Sequence, residues 1–308
     1  MKTSTSKRLR WNVAIWLAAG LFMTSTAGMA SGPILPDPKA EARHHPQIEE
    51  TANGIPLVNI TAPSSGGVSR NEYEMFNVPD KGAILNNSYT LSKTELAGYV
   101  PGNNNMAERP AKIIVNEVTG TGSTSMDGFL EVAGNRADVV IANPNGITVN
   151  GGGFIHTGKA FLTTGKPVYD GEDHLQRFDI TGGDILIEGK GLGGKETGSL
   201  AILSRAVKIN AGIWAKDLHI TTGANSIDAK TLEASAIEGK GGRPAFALDT
   251  AAIGGMYAGR ITLVGTEKGL GVNNSGTWSA EDNLTLDWNG DLKNSGTIYS
   301  KGNTDLRA

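Results

Sequence analysis

The feature that most constrains this chain is a repeat near its C-terminal end. Asn274-Ser275-Gly276-Thr277 recurs as Asn294-Ser295-Gly296-Thr297, an offset of 20 residues. The segments that follow, Asn283-Leu284 and then Asn303 with Leu306, keep rough phase. A period near twenty, made of short apolar runs and turn residues, is a solenoid signature: each unit buries its apolar face only against its neighbours. One coil of a parallel β-helix would set Asn274 above Asn294 and Gly276 above Gly296, and amides in equivalent bends can hydrogen-bond up the stack. Asn210-Ala211-Gly212-Ile213 reads as a fainter echo. From Ala111 onward such coils would number roughly ten, giving a rod of about 48 Å at ~4.8 Å per rung. The alternative is chance recurrence of a common turn tetrapeptide.

The rest of the chain follows the same grammar. From Ala111 come AKIIVNEV, ADVVIA, GITV, AFLTT, FDI, DILIEG, LAILS, VKINAGIWA, LHITT and ITLVG, each closed by Gly, Asn, Ser or a charge. No apolar stripe of helical period exceeds two turns; residues 228–236 have mild helical composition, offset by Thr and Ser. Glycine, at 42 of 308 residues, is about twice its usual ~7% share, which fits turn-dense β structure. Aromatic residues make up 6%, so packing falls to Val, Ile, Leu and Ala. The organising stretch is EVAGNRADVVIANPNGITVNGGGF, residues 131–154. At its centre Asn143-Pro144-Asn145-Gly146-Ile147 separates two apolar runs. Pro144 fixes its own φ, and Asn145 and Gly146 tolerate positive φ, so the segment reads strand, tight bend, strand.

Residues 1–30 read as a secretory signal: Lys2, Lys7, Arg8 and Arg10, an apolar run over 11–22, then small-x-small cleavage sites. That run is short for a transmembrane span of ~20 residues. The formal charge is −3, and those four cations, with no acid among them, leave −7 for the remainder. Such a balance favours solubility and argues against nucleic acid or an anionic membrane as partner. There is no cysteine, hence no disulfide or thiolate site, in keeping with export of an unfolded chain. Residues 31–50, with Pro33, Pro36, Pro38 and Pro46, are expected to be a flexible arm. Residues 51–270 are expected to form one capped β-helical domain. Within it, residues 52–88 supply Ile55, Leu57, Val58, Ile60, Phe76, Val78, Ile84 and Leu85 to a cap, which an open stack needs at its end rung. Residues 90–109 read as a polar loop. Residues 271–308 read as the start of the twenty-residue repeats, stopping mid-repeat.

Groups that hint at catalysis fall short of it. Gly153-Phe154-Ile155-His156-Thr157-Gly158-Lys159 approaches a phosphate-binding loop, but Ala160 stands where Ser or Thr would hold the metal, and a strand follows where a helix is needed. Glu172-Asp173-His174 reads as a solvated loop tip. The five histidines, 44, 45, 156, 174 and 219, lack metal spacing. Asp179, Asp184 and Glu188 are the only close acidic set in a strand region, and they keep open a calcium-dependent polysaccharide lyase as the rival enzymatic reading. No catalytic residue, cofactor or metal is expected.

These segments resemble the N-terminal secretion domain of two-partner-secreted exoproteins, the filamentous haemagglutinin-like family. The likeness runs from about residue 52 to 220 and rests on NGIPLVNI (53–60), GVSRNEYEMFNV (67–78), GAILNNS (82–88), EVTG (117–120), the 131–154 stretch and LTTG (162–165). It implies an all-β fold: a right-handed, single-stranded parallel β-helix with an N-terminal cap and small extra-helical sheets. It also implies a task. The chain would reach the periplasm through the Sec translocon. There the POTRA domains of a cognate TpsB-type outer-membrane β-barrel transporter would recognise it for export to the surface of a Gram-negative cell or the medium. Of the family's two Asn-Pro motifs, the second is intact at Asn143–Ile147. The first, usually Asn-Pro-Asn-Leu, has its best counterpart in Asn103-Asn104-Asn105-Met106, with Pro and Leu replaced.

The residues expected to serve recognition are therefore Asn53, Gly54, Val58, Asn59 and Ile60, as the pairing edge of an unfolded or nascent strand for strand addition, with Asn103, Asn105, Asn143, Pro144, Asn145, Gly146 and Ile147 as fold-setting bends. Asn274, Gly276, Asn294 and Gly296 mark the repeat. The cargo would be an adhesin, a haemolysin or a contact-dependent inhibition effector. The alternative is that this segment itself binds carbohydrate or a receptor on a host or neighbouring cell.

Overall fold

A computed structural model describes residues 33–107 and 109–307. The expected leader at residues 1–30 lies outside them. Among the described residues the only helical turn is a 3-10 turn at Ala42–His44; short strands make up the remaining regular structure.

The strands wind in parallel coils with three faces. The first face stacks Pro56–Asn59, Ala83–Asn87, Phe129–Gly134, Gly152–Ile155, Leu192–Gly194, the leading halves of Gly212–Thr222 and Gly255–Gly265, Thr277–Ala280 and Thr297–Ser300. These define coils 1 to 9 among the described residues. The second face stacks Val68–Phe76, Ile113–Val118, Ala137–Ala142, Thr157–Thr163, Ser199–Ser204, the trailing halves of the two long strands, Leu284–Trp288 and Thr304–Arg307. The third runs from Thr124–Met126 through Ile147–Val149, Asp184–Ile187, Ala206–Ile209, Leu248–Thr250 and Val272–Asn274 to Leu292–Asn294.

The expected tally of ten coils beyond Ala111 is too high. Only coils 3 to 9 start beyond it, because coil length is uneven. Thr277 pairs with Thr297, twenty residues on, whereas Gly212 pairs with Gly255, 43 residues on. Long coils carry strands that leave the stack. An antiparallel hairpin, Ser92–Thr94 with Gly98–Val100, occupies the expected loop at 90–109. A four-stranded antiparallel sheet combines Lys166–Tyr169, Leu175–Ile180, Asn225–Asp228 and Ala234–Ala236; residues 228–236, with their mild helical composition, form a turn and part of this sheet.

Both excursions have a physical reason: parts of the outer surface are apolar. Leu57, Ile84 and Ala133 point outward from the first face and are covered by Leu96, Ala97 and Val100 of the hairpin. Val115, Val140, Phe161, Ala201 and Leu203 point outward from the second and are covered by Phe178, Ile180 and Ile227 of the sheet. Each such Val, Leu, Ile or Phe side chain contributes about 1.5–3 kcal/mol when fully buried, so the covers add to the stability of these coils.

Inside the coil, register turns side chains into columns. Ile114, Val139, Ala160, Leu200, Leu218, Ile261 and Leu284 stack in one; Ile213, Met256, Trp278 and Ile298 in another. The eight apolar residues assigned to the cap are all buried.

The expected flexible arm is instead part of the cap. Ile34–Pro36 pairs antiparallel with Val68–Phe76, and Gln47–Glu50 pairs antiparallel with Pro56–Asn59. These two strands close the end of coil 1 by laying a reversed strand along each exposed edge. The prolines do not oppose this, since an edge strand tolerates a missing donor on its outer side.

Candidate recognition site

The two Asn motifs fold into the same turn. At Asn143 the side-chain Oδ1 accepts the Asn145 N–H at 2.9 Å, and the Gly146 N–H donates to the Asn143 carbonyl at 3.1 Å. At Asn103 the Oδ1 accepts the Asn105 N–H at 2.9 Å, and the Met106 N–H donates to the Asn103 carbonyl at 3.1 Å. Each is a β-turn whose first residue caps it from the side chain, which is what Asn does well at that position. Pro144 is therefore not needed to make the turn, and Asn104 takes its place. Gly146 has φ +111, and a Cβ there would lie 3.0 Å from the Asp184 carbonyl oxygen, so this corner does require glycine. Met106 is 1% exposed and sits in the main core.

Both turns reach back to the preceding coil. Asn103 Nδ2 donates to the carbonyls of Ile60 (2.8 Å) and Asn86 (2.9 Å), and Asn105 Nδ2 donates to the same Ile60 carbonyl (3.1 Å). Asn143 Nδ2 donates to the Gly122 carbonyl and to Thr124 Oγ1, both at 3.0 Å; Asn145 Nδ2 donates to the Gly120 carbonyl at 2.8 Å. Asn103 and Asn143 are buried. Removing either side chain would leave main-chain groups unpaired away from water.

The segment 53–60 joins the first of these turns through Ile60. Asn53 and Gly54 (φ +76) form the tight hairpin turn before it, with Asn53 Nδ2 donating to the Leu96 carbonyl at 2.9 Å. Asn59 Oδ1 accepts Asn86 Nδ2 at 2.8 Å, and Val58 and Ile60 point into the core. In the folded chain Pro56–Asn59 is hydrogen-bonded on both sides, to Gln47–Glu50 and to Ala83–Asn87, so 53–60 presents an open edge only before the cap closes. Asn143–Ile147 lies on a different corner, between the second and third faces, and Ile147 packs in the core.

Other buried polar groups extend this network, and the sequence reading missed them. Asn71 Oδ1 accepts the Thr61 N–H (2.9 Å), Asn116 Oδ1 accepts the Tyr73 hydroxyl (3.0 Å), and Asn87 bonds the main chain of Ala111 and Asn135. Two of them, Asn87 and Asn116, follow apolar runs, at ILNNS and IVNEV, whereas Asn71 stands in the charged RNEYE. Glu131 holds the hairpin: its carboxylate accepts the N–H groups of Glu95 (2.7 Å) and Leu96 (2.9 Å). Burial pushes that carboxyl above its ordinary range, and the two N–H bonds oppose the rise.

The loop at 172–174 is tied to the cap as well as solvated, since Asp173 Oδ2 lies 2.6 Å from an Arg43 nitrogen. Nearby, Arg70 is 2.8 Å from Glu72 and 3.3 Å from Glu117 and packs over the Tyr169 ring. Burial pushes the Glu117 carboxyl up, with Arg70 opposing.

The residues that hinted at chemistry are not brought together. Asp179 bonds Arg177 and Ser226 on the extra sheet, and Asp184 lies 3.8 Å from Lys208 on the third face. The phosphate-loop-like segment is two strands, Gly152–Ile155 and Thr157–Thr163. In the repeat, Asn274 Nδ2 donates to Asn294 Oδ1 at 2.8 Å, and Gly276 N–H caps back on Asn274 Oδ1 at 3.1 Å. The echo at Asn210 is out of phase, because the residue in register with Thr250, and so with Asn274, is Ile209.

Comparison with known proteins agrees with this geometry. The sequence model of the TPS secretion domain matches residues 33–298. The chain is 42% identical over 298 residues to a protein named Toxin CdiA from Yersinia pestis, covering 89% of this chain and 9% of that one. It is 44% identical over 262 residues to a tRNA nuclease CdiA from Escherichia coli strain NC101, covering 83% and 8%. It thus spans less than a tenth of these relatives. The crystal structure of the filamentous hemagglutinin secretion domain superposes with a TM-score of 0.76 at 30% identity, covering 90% of this chain and all of that one. The capped parallel β-helix and the sequence match together show that this chain belongs to the TPS secretion domain family.

Proposed function

We propose that this domain is the export signal of a larger exoprotein, recognised in the periplasm by the POTRA domains of its cognate outer-membrane TpsB transporter. The observation that carries the reading is the family match over residues 33–298 together with the two matched Asn turns. The geometry adds an order of events. Residues 53–60 have no spare hydrogen-bonding edge once the cap has closed. Strand addition to a POTRA sheet therefore has to precede folding of the cap, and the two compete for the same backbone. Folding on the outer side would then withdraw the segment from the transporter and make passage one-way.

The relatives' names point to contact-dependent inhibition toxins as the kind of cargo. On this reading, any nuclease or other toxic activity lies outside the 308 residues, and the mature protein is delivered to the surface of a Gram-negative cell.

Co-expression with a candidate transporter tests the reading. The chain should appear in the medium with the intact transporter and remain in the periplasm with one lacking its POTRA domains. Export that is indifferent to the POTRA domains would contradict it. Adhesion by the domain itself is the second reading, favoured by exposed Lys112, Arg136 and Lys159 along one corner of the coil.

A further inference from the structure

Along the corner between the first and second faces runs a groove of about 1020 Å³, passing from coil 1 to coil 6. Its charge is unlike that of the chain around it. The residues beyond the first thirty carry a formal −7, yet exposed Arg109, Lys112, Arg136 and Lys159 all border this groove. Lys112, Arg136 and Lys159 form no salt bridge among the described residues. Arg136 is held in place without being neutralised: its Nε and one terminal nitrogen donate to the Thr157 carbonyl at 2.9 and 2.7 Å. Two acids, Asp138 and Asp217, line the groove with them, and Asp138 Oδ1 accepts the Lys159 N–H at 2.7 Å. Further along the rod the corner is self-compensated. Arg260 grips Asp217 through two bonds of 2.7 and 2.8 Å, and Lys301 pairs with Glu281. Cations without a salt-bridge partner are thus densest on coils 2–4, with Lys216 a single further one on coil 6.

We propose that this groove binds a linear acidic polysaccharide, laid along the rod axis. Lys112, Arg136 and Lys159 stand on three successive coils, so cations recur at about one per 4.8 Å rung. That spacing suits a polymer carrying regular charge better than a compact anion. The rest of the lining suits sugar hydroxyls: Ser199 offers a hydroxyl and exposed Asn135 an amide, neither side chain hydrogen-bonded among the described residues. An acidic peptide is the poorer fit. The second-face strands beside coils 2–4 are paired on both sides, leaving no edge for strand addition, and no large apolar side chain lines the groove to seat an anchor. The inference does not depend on the export reading.

The test is retention of the purified chain on immobilised chondroitin sulfate. The chain should be held at low salt despite its net negative charge. Its log affinity should fall with log salt at a slope of about −2 to −3, one counterion per engaged cation. The triple variant K112Q/R136Q/K159Q should lose affinity on the order of tenfold or more. The double variant K112Q/K159Q, which leaves the Arg136 contacts intact, should lose part of it. A control of equal charge change on exposed lysines away from the groove, K93Q/K268Q/K293Q, should bind like the parent. Absence of retention, or equal loss in both triple variants, would overturn the proposal. So would poly-glutamate of matched charge competing as well as free chondroitin sulfate, which would assign the groove to an acidic peptide.

Discussion

The two ends of the coil solve the same packing problem in opposite ways. On the second face, one interior column reads Asn71, Asn116, then Ile141, Leu162, Ile202, Ile220, Leu263 and Leu286. On the third face another reads Met126, Val149, Ile187, Ile209, then Thr250, Asn274 and Asn294. One column is polar at the N-terminal end, the other at the C-terminal end. The amides also bond differently. N-terminal asparagines donate mostly to main-chain carbonyls, with Asn103 and Asn143 reaching to the coil before; the one in-register amide pair there, Asn86 to Asn59, is not continued, since the next residue in register is Ala133. Asn274 donates to its own counterpart in the next coil. A side-chain ladder repeats with the coil and can propagate. A side chain bonded to one particular carbonyl fits one place only. The N-terminal end is thus built as a unique cap, and the C-terminal end as a repeating unit.

That contrast can be broken by substitution. The largest effect is expected for Asn143→Ala, which strands the bonds to Gly122, Thr124 and Asn145 and should cost about 2–4 kcal/mol in chemical unfolding. A loss below ~1 kcal/mol would mean that the corner is held by the flanking strands alone.

Between the two ends, on coil 6, His219 sets a pH dependence. Burial lowers its pKa from 6.5 to about 4, so it is neutral when folded while the unfolded chain takes up a proton. The contribution is therefore neutral above about pH 6.5. Stability falls as pH drops from there to about 4, by about 3 kcal/mol, and the loss levels off below. His219→Gln should flatten that decline in pH-dependent melts and leave neutral stability nearly unchanged.

Asn274→Ala removes one rung of the ladder while Thr277 and Trp278 keep the coil in place. It should cost about 1 kcal/mol, well short of Asn143→Ala. The smallest effect has the opposite sign. Asn104→Pro gives the first turn the proline of the second; the main-chain N–H of Asn104 makes none of the turn's hydrogen bonds. Restriction of the unfolded chain should stabilise by about 0.5–1 kcal/mol. Destabilisation would show that the two turns differ in backbone despite their shared bonds.

Much of this contrast was legible in the sequence. The twenty-residue offset at Asn274 and Asn294 and the short apolar runs sufficed for the β-helix. Asn-x-Asn sufficed for both turns, because the capping chemistry is local. What depends on distant partners was not legible. Residues 34–36 and 47–50 are too short to show periodicity and become strands only because coil 1 presents two open edges. The edge at 53–60 is closed in the folded chain for the same reason. The coil number was misjudged because the lengths of the excursions are set by apolar outer faces, and a strand buried on both sides reads as a plain apolar run. Asn87 and Asn116 stand beside apolar residues and Asn71 among charged ones, yet nothing local says which asparagine faces inward.

One paired measurement bears most directly on the claim that the N-terminal end is what an exporter reads. Asn143→Ala and a C-terminal variant chosen to match it in unfolding free energy would be co-expressed with the transporter, and the exported fraction of each scored against its periplasmic pool. The account predicts that Asn143→Ala is exported several-fold less than its stability-matched partner. Equal export of the two would contradict it and reduce the corner to a packing element.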